Sequence, residues 1–185
     1  MFDCLNKDTA PVESTPLIER SMKSYSFLPK LHAILAESPA TYKAYLDTFE
    51  LFENGTTLSP LERQIVFQIS NYENNCSYCM PGHIFLMKLA KMPDSVIEAL
   101  REGNPLEDKR LEALRLYTQR LLRQKGHLSE SEINEFFDAG YTRRQSLEVL
   151  VGLASKLLSN FTNALARTEL DDPVKKYAWT HPNLR

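Results

Sequence analysis

Apolar residues recur along this chain at three- and four-residue intervals, and the breaks between runs carry proline, glycine or a capping hydroxyl. Ser14-Thr15-Pro16 reads as a capping hydroxyl with proline near the first helical position, before a face of Leu17, Ile18 and Met22 that must end ahead of Pro29. Leu28, Leu31, Ile34 and Leu35 carry a second helix. Ser38-Pro39 restarts the pattern with Tyr42, Tyr45, Leu46, Phe49 and Phe52, and Asn54-Gly55 stops it. Ser59-Pro60 with Glu62 is a capping-box pattern, opening a helix whose apolar stripe is Leu61, Ile65, Ile69 and Tyr72. Beside it runs a stripe of amides, Gln64, Gln68, Asn71 and Asn75. Gln68 reads as part of a solvated face and Gln64 as a polar wall facing the thiols described below.

The second half continues the pattern. Ile84, Leu86, Met87 and Leu89 lead to Met92-Pro93, a short helix follows through Leu100, and Leu106 to Gln124 predicts another, closed by Gly126. Ser129 caps a helix containing Ile133, Phe136 and Phe137 that ends at Ala139-Gly140. Thr142 then caps a long helix carrying Leu147, Leu150, Val151, Leu153, Ala154, Leu157, Leu158 and Phe161, with Ala164 and Leu165 beyond. So wide an apolar surface predicts burial on several sides, inside the domain or against another subunit. With no strand alternation, fixed repeat or glycine-rich phosphate loop, the fold class is all-α.

One domain suffices for 185 residues of which 43% are hydrophobic. Residues 1–13 form a polar arm, expected to be extended and to need a partner subunit for order; residues 14–170 form the domain; residues 171–185 form a tail with little pattern. The net charge of -2 offers no footprint for nucleic acid or an anionic membrane. No run approaches the roughly 20 apolar residues of a membrane span, and the first residues lack the features of a signal peptide, so the expected location is the cytosol.

Chemistry concentrates between Asn71 and His83, which hold two of the three cysteines and one of the four histidines. On a helix, Cys76, Cys79 and His83 fall at i, i+3 and i+7 and share one stripe. Pro81 is tolerated only where an N–H would be unpaired, which puts the helix start near Ser77 or later and both cysteines at its positive end, where a thiolate is favoured. His83 is the natural proton carrier near neutral pH. Spacing does not say which cysteine attacks first. The same residues also fit three ligands of a zinc site, with Cys4, His32, His127 or His181 as a fourth, but no second CxxC or HxxxH supplies the usual partner, so no metal or cofactor is expected. The isolated histidines 32, 127 and 181 read as surface or loop residues, Glu73 as a solvated charge, and Tyr78 as either a phenol donor to the site or a packing residue.

The run from Ser59 to Ser70, then Asn74-Asn75-Cys76-Ser77-Tyr78-Cys79 and His83, resembles the core of the alkylhydroperoxidase D-like (AhpD-like) branch of the carboxymuconolactone decarboxylase family. The resemblance covers mainly residues 38–103, and more weakly Phe136 to Asn163. It implies an AhpD-like helical bundle assembling as trimers or hexamers. It also implies cofactor-free antioxidant chemistry in which a dithiol pair cycles through a disulfide, reducing a hydroperoxide or a partner's disulfide at the expense of an external dithiol. By motif, Cys76, Cys79 and His83 carry over as catalytic residues, with the second cysteine meeting peroxide. Two positions depart. The relay glutamate, expected twelve residues before the first cysteine, falls on Gln64, and Glu62 lies about 200° round the helix from it; the histidine of the best-known peroxidases before the second cysteine is Tyr78. The alternative from a different class is a non-catalytic helical oligomer whose CxxC senses oxidation or binds a partner or metal.

Overall fold

Reciprocal capping boxes open three helices of the chain. Ser59 and Glu62 exchange hydrogen bonds at the start of α4 (Pro60–Glu73), Ser129 and Glu132 at the start of α8 (Glu130–Asp138), and Thr142 and Gln145 at the start of α9 (Arg143–Ala166). The structure, a computed structural model, describes residues 2–185. Its other helices are α1 (Thr15–Tyr25), α2 (Lys30–Leu35), α3 (Pro39–Gly55), α5 (Cys79–Leu89), α6 (Asp94–Glu102) and α7 (Lys109–Arg123), and the described residues include no strand. The all-α class and the order of helices follow the sequence pattern.

Local chemistry shifts some boundaries. The helix expected from Leu106 starts at Lys109, because the Asp108 carboxylate accepts from the N–H groups of Arg110 and Leu111 at 2.8 and 2.9 Å and fixes the cap there. Ser14 does not cap α1. Its hydroxyl donates instead to Ala36 O at 2.7 Å, tying the chain entry to the end of α2. The arm packs on its own chain: Leu5 N–H donates to Ala33 O at 3.0 Å, and Leu5 and Ala10 pack on the cluster around Ile18, Leu31 and Tyr42.

That cluster is the smaller of two. The larger gathers Phe52, Ile65, Phe67, Met80, Met87, Leu114, Phe136 and Val149 between α3, α4, α5, α7, α8 and α9, and Phe49 packs against both. The tail is part of the fold. Trp179 is buried in the larger cluster and donates its indole N–H to Arg101 O at 2.9 Å.

α9 runs through the centre, against α2, α3 and α4, and it has the length and mean hydropathy of a membrane span. It nevertheless packs in the opposite sense from its apolar pattern. Apart from Val149 its buried face is small or polar, with Gly152, Ser155, Lys156, Ser159, Asn160 and Asn163 following Gln145 and Glu148, while Leu147, Leu150, Leu157, Phe161 and Leu165 are exposed, Leu147 at 66% and Leu165 at 72%. Small residues let α3 come close: a Cβ on Gly152 would stand 2.7 Å from Phe52 Cζ, and that ring has no solvent-exposed surface through which to yield. Gly152→Ala is therefore expected to lower stability by about 1–2 kcal/mol, because overpacking outweighs the gain in helix propensity. The shift of the denaturant midpoint in an equilibrium titration measures it.

Candidate active site

α4 and α5 meet through a turn that delivers both cysteines. Asn75 takes a left-handed conformation, φ 49°, in which asparagine is one of the tolerated residues. With it, the Cys76 N–H reaches back to Asn71 O at 2.8 Å and the Asn75 N–H to Tyr72 O at 3.0 Å, closing the end of α4. Cys76 therefore sits just outside α4 and Cys79 is the first residue of α5, with Pro81 in the first turn, where its missing N–H leaves no bond unmade. The Cys79 N–H donates to Cys76 Sγ at 3.3 Å, and both thiols are free.

Amides and a lysine from α9 complete the surroundings. Asn163 Nδ2 donates to Cys79 Sγ at 3.2 Å. Asn160 Nδ2 donates to Asn71 Oδ1 at 2.9 Å, and Asn71 Nδ2 to Gln68 Oε1 at 2.8 Å, so an amide ladder ties α9 to α4 beneath the thiols. His83 is buried, its Nδ1 2.9 Å from Gln64 Oε1 and its Nε2 3.1 Å from Lys156 Nζ. Lysine can only donate, so Nε2 accepts and the ring proton lies on Nδ1, given to the Gln64 carbonyl. Lys156 is 2% exposed and stands over the Phe67 ring at 5.4 Å from its centroid.

These contacts separate the two thiols. Burial pushes Cys79 up, but the hydrogen bond from Cys76, the Lys156 charge and hydrogen bonds from Asn160 and Ser159 outweigh it and hold Cys79 below the ordinary thiol range. Cys76 is pushed up, first by that same bond and then by burial. Burial, reinforced by the Lys156 charge, drives His83 well below the usual imidazole value, and burial pushes His32 down to about 3.

The thiols also open in different directions. Cys79, His83 and Lys156 border a cavity of about 130 Å³ whose other walls include Tyr45, Phe49 and Phe85, with Asp171, Pro173 and Val174 of the tail closing one side. Cys76 borders a separate, more polar groove of about 300 Å³ with Asn75, Ser77, Asn163, Arg167 and Thr168. Tyr78 lies between the two.

Of the residues singled out from sequence, Gln64, Cys76, Cys79 and His83 come together. Tyr78 borders the cavity, but its phenol donates to Asp171 Oδ2 rather than to a sulfur and accepts the Leu31 N–H at 3.3 Å. Glu62 is committed elsewhere, to the α4 cap and to Arg110. Three readings are corrected. Gln68 is fully buried in the amide ladder, not solvated. Glu73 is mostly covered and paired with Arg123 at 2.7 Å. His32 is buried on α2 with Nδ1 2.7 Å from Ser21 Oγ, and it lines the cavity. His127 is exposed in a loop and His181 half-buried against Tyr72. Among the described residues no three His, Cys, Asp or Glu side chains converge as metal ligands. Asn160 and Asn163 lie in the weaker part of the family resemblance, without a role assigned to them; Lys156 and Asp171 were not singled out from sequence, and the signal available for Lys156 was the small and polar stripe along α9.

No family model and no curated protein sequence matches the chain. Solved structures do. The alkylhydroperoxidase AhpD core of an uncharacterized peroxidase-related protein from Ralstonia eutropha JMP134 superposes with a TM-score of 0.82 at 16% identity, covering 94% of this chain and 93% of that one. An uncharacterized peroxidase-related protein from Silicibacter sp. TM1040 gives 0.75 at 16% identity, with 89% and 87% covered. A cysteine-to-alanine variant of the debrominase Bmp8, in complex with 2,3,4-tribromopyrrole, gives 0.78 at 14% identity, with 95% and 94% covered. The fold of this chain is the AhpD-like fold that its motif resembles.

Two buried neutral histidines make stability fall on the acid side. Their folded values lie below the unfolded 6.5, so as pH falls below about 6.5 the unfolded chain takes up protons that the folded chain refuses, and stability is lost. Between pH 6.5 and 5, above the range where most carboxylates titrate, unfolding free energy is expected to drop by up to about 1.4 kcal/mol per pH unit per histidine. Denaturant titrations at a series of pH values measure the slope, and His32→Gln should reduce it.

Proposed function

We propose that this protein is a thiol–disulfide oxidoreductase of alkylhydroperoxidase type, with Cys79 as the thiol that meets the oxidant and Cys76 as the one that resolves it. The observation that carries this reading is the division of the pair: the sulfur stabilised as a thiolate faces the apolar cavity, and the sulfur held as a thiol faces the polar groove. A hydroperoxide with an apolar substituent fits the cavity. The Cys79 thiolate attacks its distal oxygen, the O–O bond breaks, and the products are a sulfenic acid on Cys79 and an alcohol. The Cys76 sulfur then attacks Cys79 Sγ, a disulfide forms and the sulfenic oxygen leaves as water. An external dithiol, small or protein-borne, restores both thiols by exchange, approaching Cys76 from the groove.

A second reading has its own observation. The debrominase Bmp8 shares this fold, and the cavity here has the aromatic lining that a halogenated ring would pack against. The same two thiols would supply the two electrons for replacing halide by hydrogen. Release of bromide from a brominated pyrrole, with no consumption of hydroperoxide, would favour it.

The protein is also proposed to self-associate through the exposed apolar stripe of α9, as a trimer or hexamer. Leu147, Leu150, Leu157 and Phe161 repeat at helical spacing and belong to a patch of the kind that subunits cover. Light scattering should give a multiple of the 21.3 kDa chain mass, and Leu157→Glu should lower it; a monomeric wild type removes the assembly.

For the chemistry, Cys79→Ser is expected to abolish dithiol-dependent consumption of an organic hydroperoxide. Cys76→Ser should allow one oxidation and then stop, leaving a sulfenic acid on Cys79 that a dimedone label detects by mass spectrometry. Turnover of Cys79→Ser at the wild-type rate would sink the assignment.

A further inference from the structure

Breaking the O–O bond of an alkyl hydroperoxide leaves an alkoxide, a poor leaving group unless it is protonated as it departs. The groups around the cavity offer few protons. His83 is neutral, and its ring proton is given to Gln64, whose carbonyl has no proton to pass on. The Tyr78 phenol donates to Asp171. The Tyr25 and Tyr45 phenols also line the cavity, but burial pushes both well above the ordinary phenol range and makes them poor acids. His32 is neutral and faces Ser21. Lys156 remains: a buried ammonium beside the cavity with one N–H engaged by His83 Nε2 and, among the described residues, no carboxylate in an ion pair with it.

We propose that Lys156 is the catalytic cation of this site, pairing with the Cys79 thiolate in the resting enzyme and giving its proton to the leaving alkoxide. The proposal rests on the peroxidase reading above. The step balances. Cys79 S⁻ bonds to the distal oxygen, which keeps its hydrogen; the O–O pair leaves on the alkyl oxygen, and the Lys156 proton completes the alcohol. Sulfur is oxidised to sulfenic acid, the hydroperoxide is reduced, and Lys156 is left as a neutral amine. The Cys76 thiol proton then leaves with the sulfenic oxygen as water when the disulfide forms. On reduction by the external dithiol, Cys79 returns as a thiol and hands its proton back to Lys156. Positive and negative charge thus vanish together and reappear together, so neither is stranded in the buried site. The role of His83 is positional: its Nε2 lone pair holds Nζ in place, and Gln64 fixes the tautomer that leaves that lone pair free.

Two readouts test the proposal on the full-length reduced protein, with Lys156→Met and Lys156→Gln compared with wild type. The titratable groups around Cys79 are Tyr25, His32, Tyr45, Cys76, Tyr78, His83, Lys156 and Asp171, and only Lys156 is changed. The first readout is the pH midpoint of Cys79 alkylation by iodoacetamide, followed on its peptide by mass spectrometry; it should rise by about one pH unit or more in both variants. The second is the single-turnover rate with cumene hydroperoxide and with a peracid, each divided by the fraction of Cys79 ionised. A carboxylate leaves without help, so loss of the acid should slow the alkyl hydroperoxide about 100-fold and the peracid less than about tenfold. An unmoved midpoint overturns the ion pair. Equal slowing of both oxidants, or Lys156→Gln behaving as wild type, overturns the acid role while the peroxidase reading stands. A wild type inert toward both oxidants overturns the two together.

Discussion

A lysine ammonium removed from water must be compensated by an anion or by a set of acceptors, at a cost of several kcal/mol if it is not. Lys156 meets that constraint in the middle of α9 with a nitrogen acceptor and an aromatic face, beside the cavity that Cys79 also borders. Much of the local architecture is what this requires. Gln64 has to be an acceptor toward His83 Nδ1 so that Nε2 can accept from Lys156, and the ladder from Gln68 through Asn71 to Asn160 holds α9 at the depth where Nζ reaches the ring. A carboxylate at position 64 would bring a negative charge into contact with His83 and compete with Cys79 for the lysine's field. The amide at that position and the lysine on α9 are therefore one hydrogen-bonded arrangement, joined through His83.

The all-α fold was legible because apolar periodicity runs along the whole chain and capping agrees with it at several helices: Ser59 with Glu62, Ser129 with Glu132 and Thr142 with Gln145 each pair a backbone cap with a side chain three residues on. The CxxC turn was legible because Pro81 confines the helix start. Other features depended on packing partners far away in sequence. Ser14 could cap α1 by local rules, and it is Ala36, 22 residues on, that takes its hydroxyl. Gln68 and Glu73 look solvated until Asn71, Met80 and Arg123 are placed around them. Lys156 was hidden by the usual reading of amphipathic helices, in which leucines point inward. On α9 the leucines at 147, 150 and 157 point out, and the glycine, serines and asparagines that look exposed are the ones the core needs.

Sequence likeness to the solved neighbours is 14–16%, yet nearly the whole chain superposes on them. In this chain the fold supplies a tight α4–α5 turn with two cysteines at a helix start and a long helix crossing behind them. Gln64, Tyr78 and Lys156 are single side chains set on that frame, outside the cluster of Phe52, Phe67, Met80 and Phe136 that holds the bundle.

The side of the cavity closed by Asp171, Pro173 and Val174 is built differently from the rest. Those residues lie in the tail, held by the Tyr78 phenol, the Lys30 N–H and the anchor of Trp179, rather than in one of the helices of the bundle. Insertions, deletions and bulkier side chains there can reshape the space beside Cys79 without loosening the core. The tail is thus the segment through which a lineage, or a designer, can retune the molecules admitted to an unchanged thiol pair.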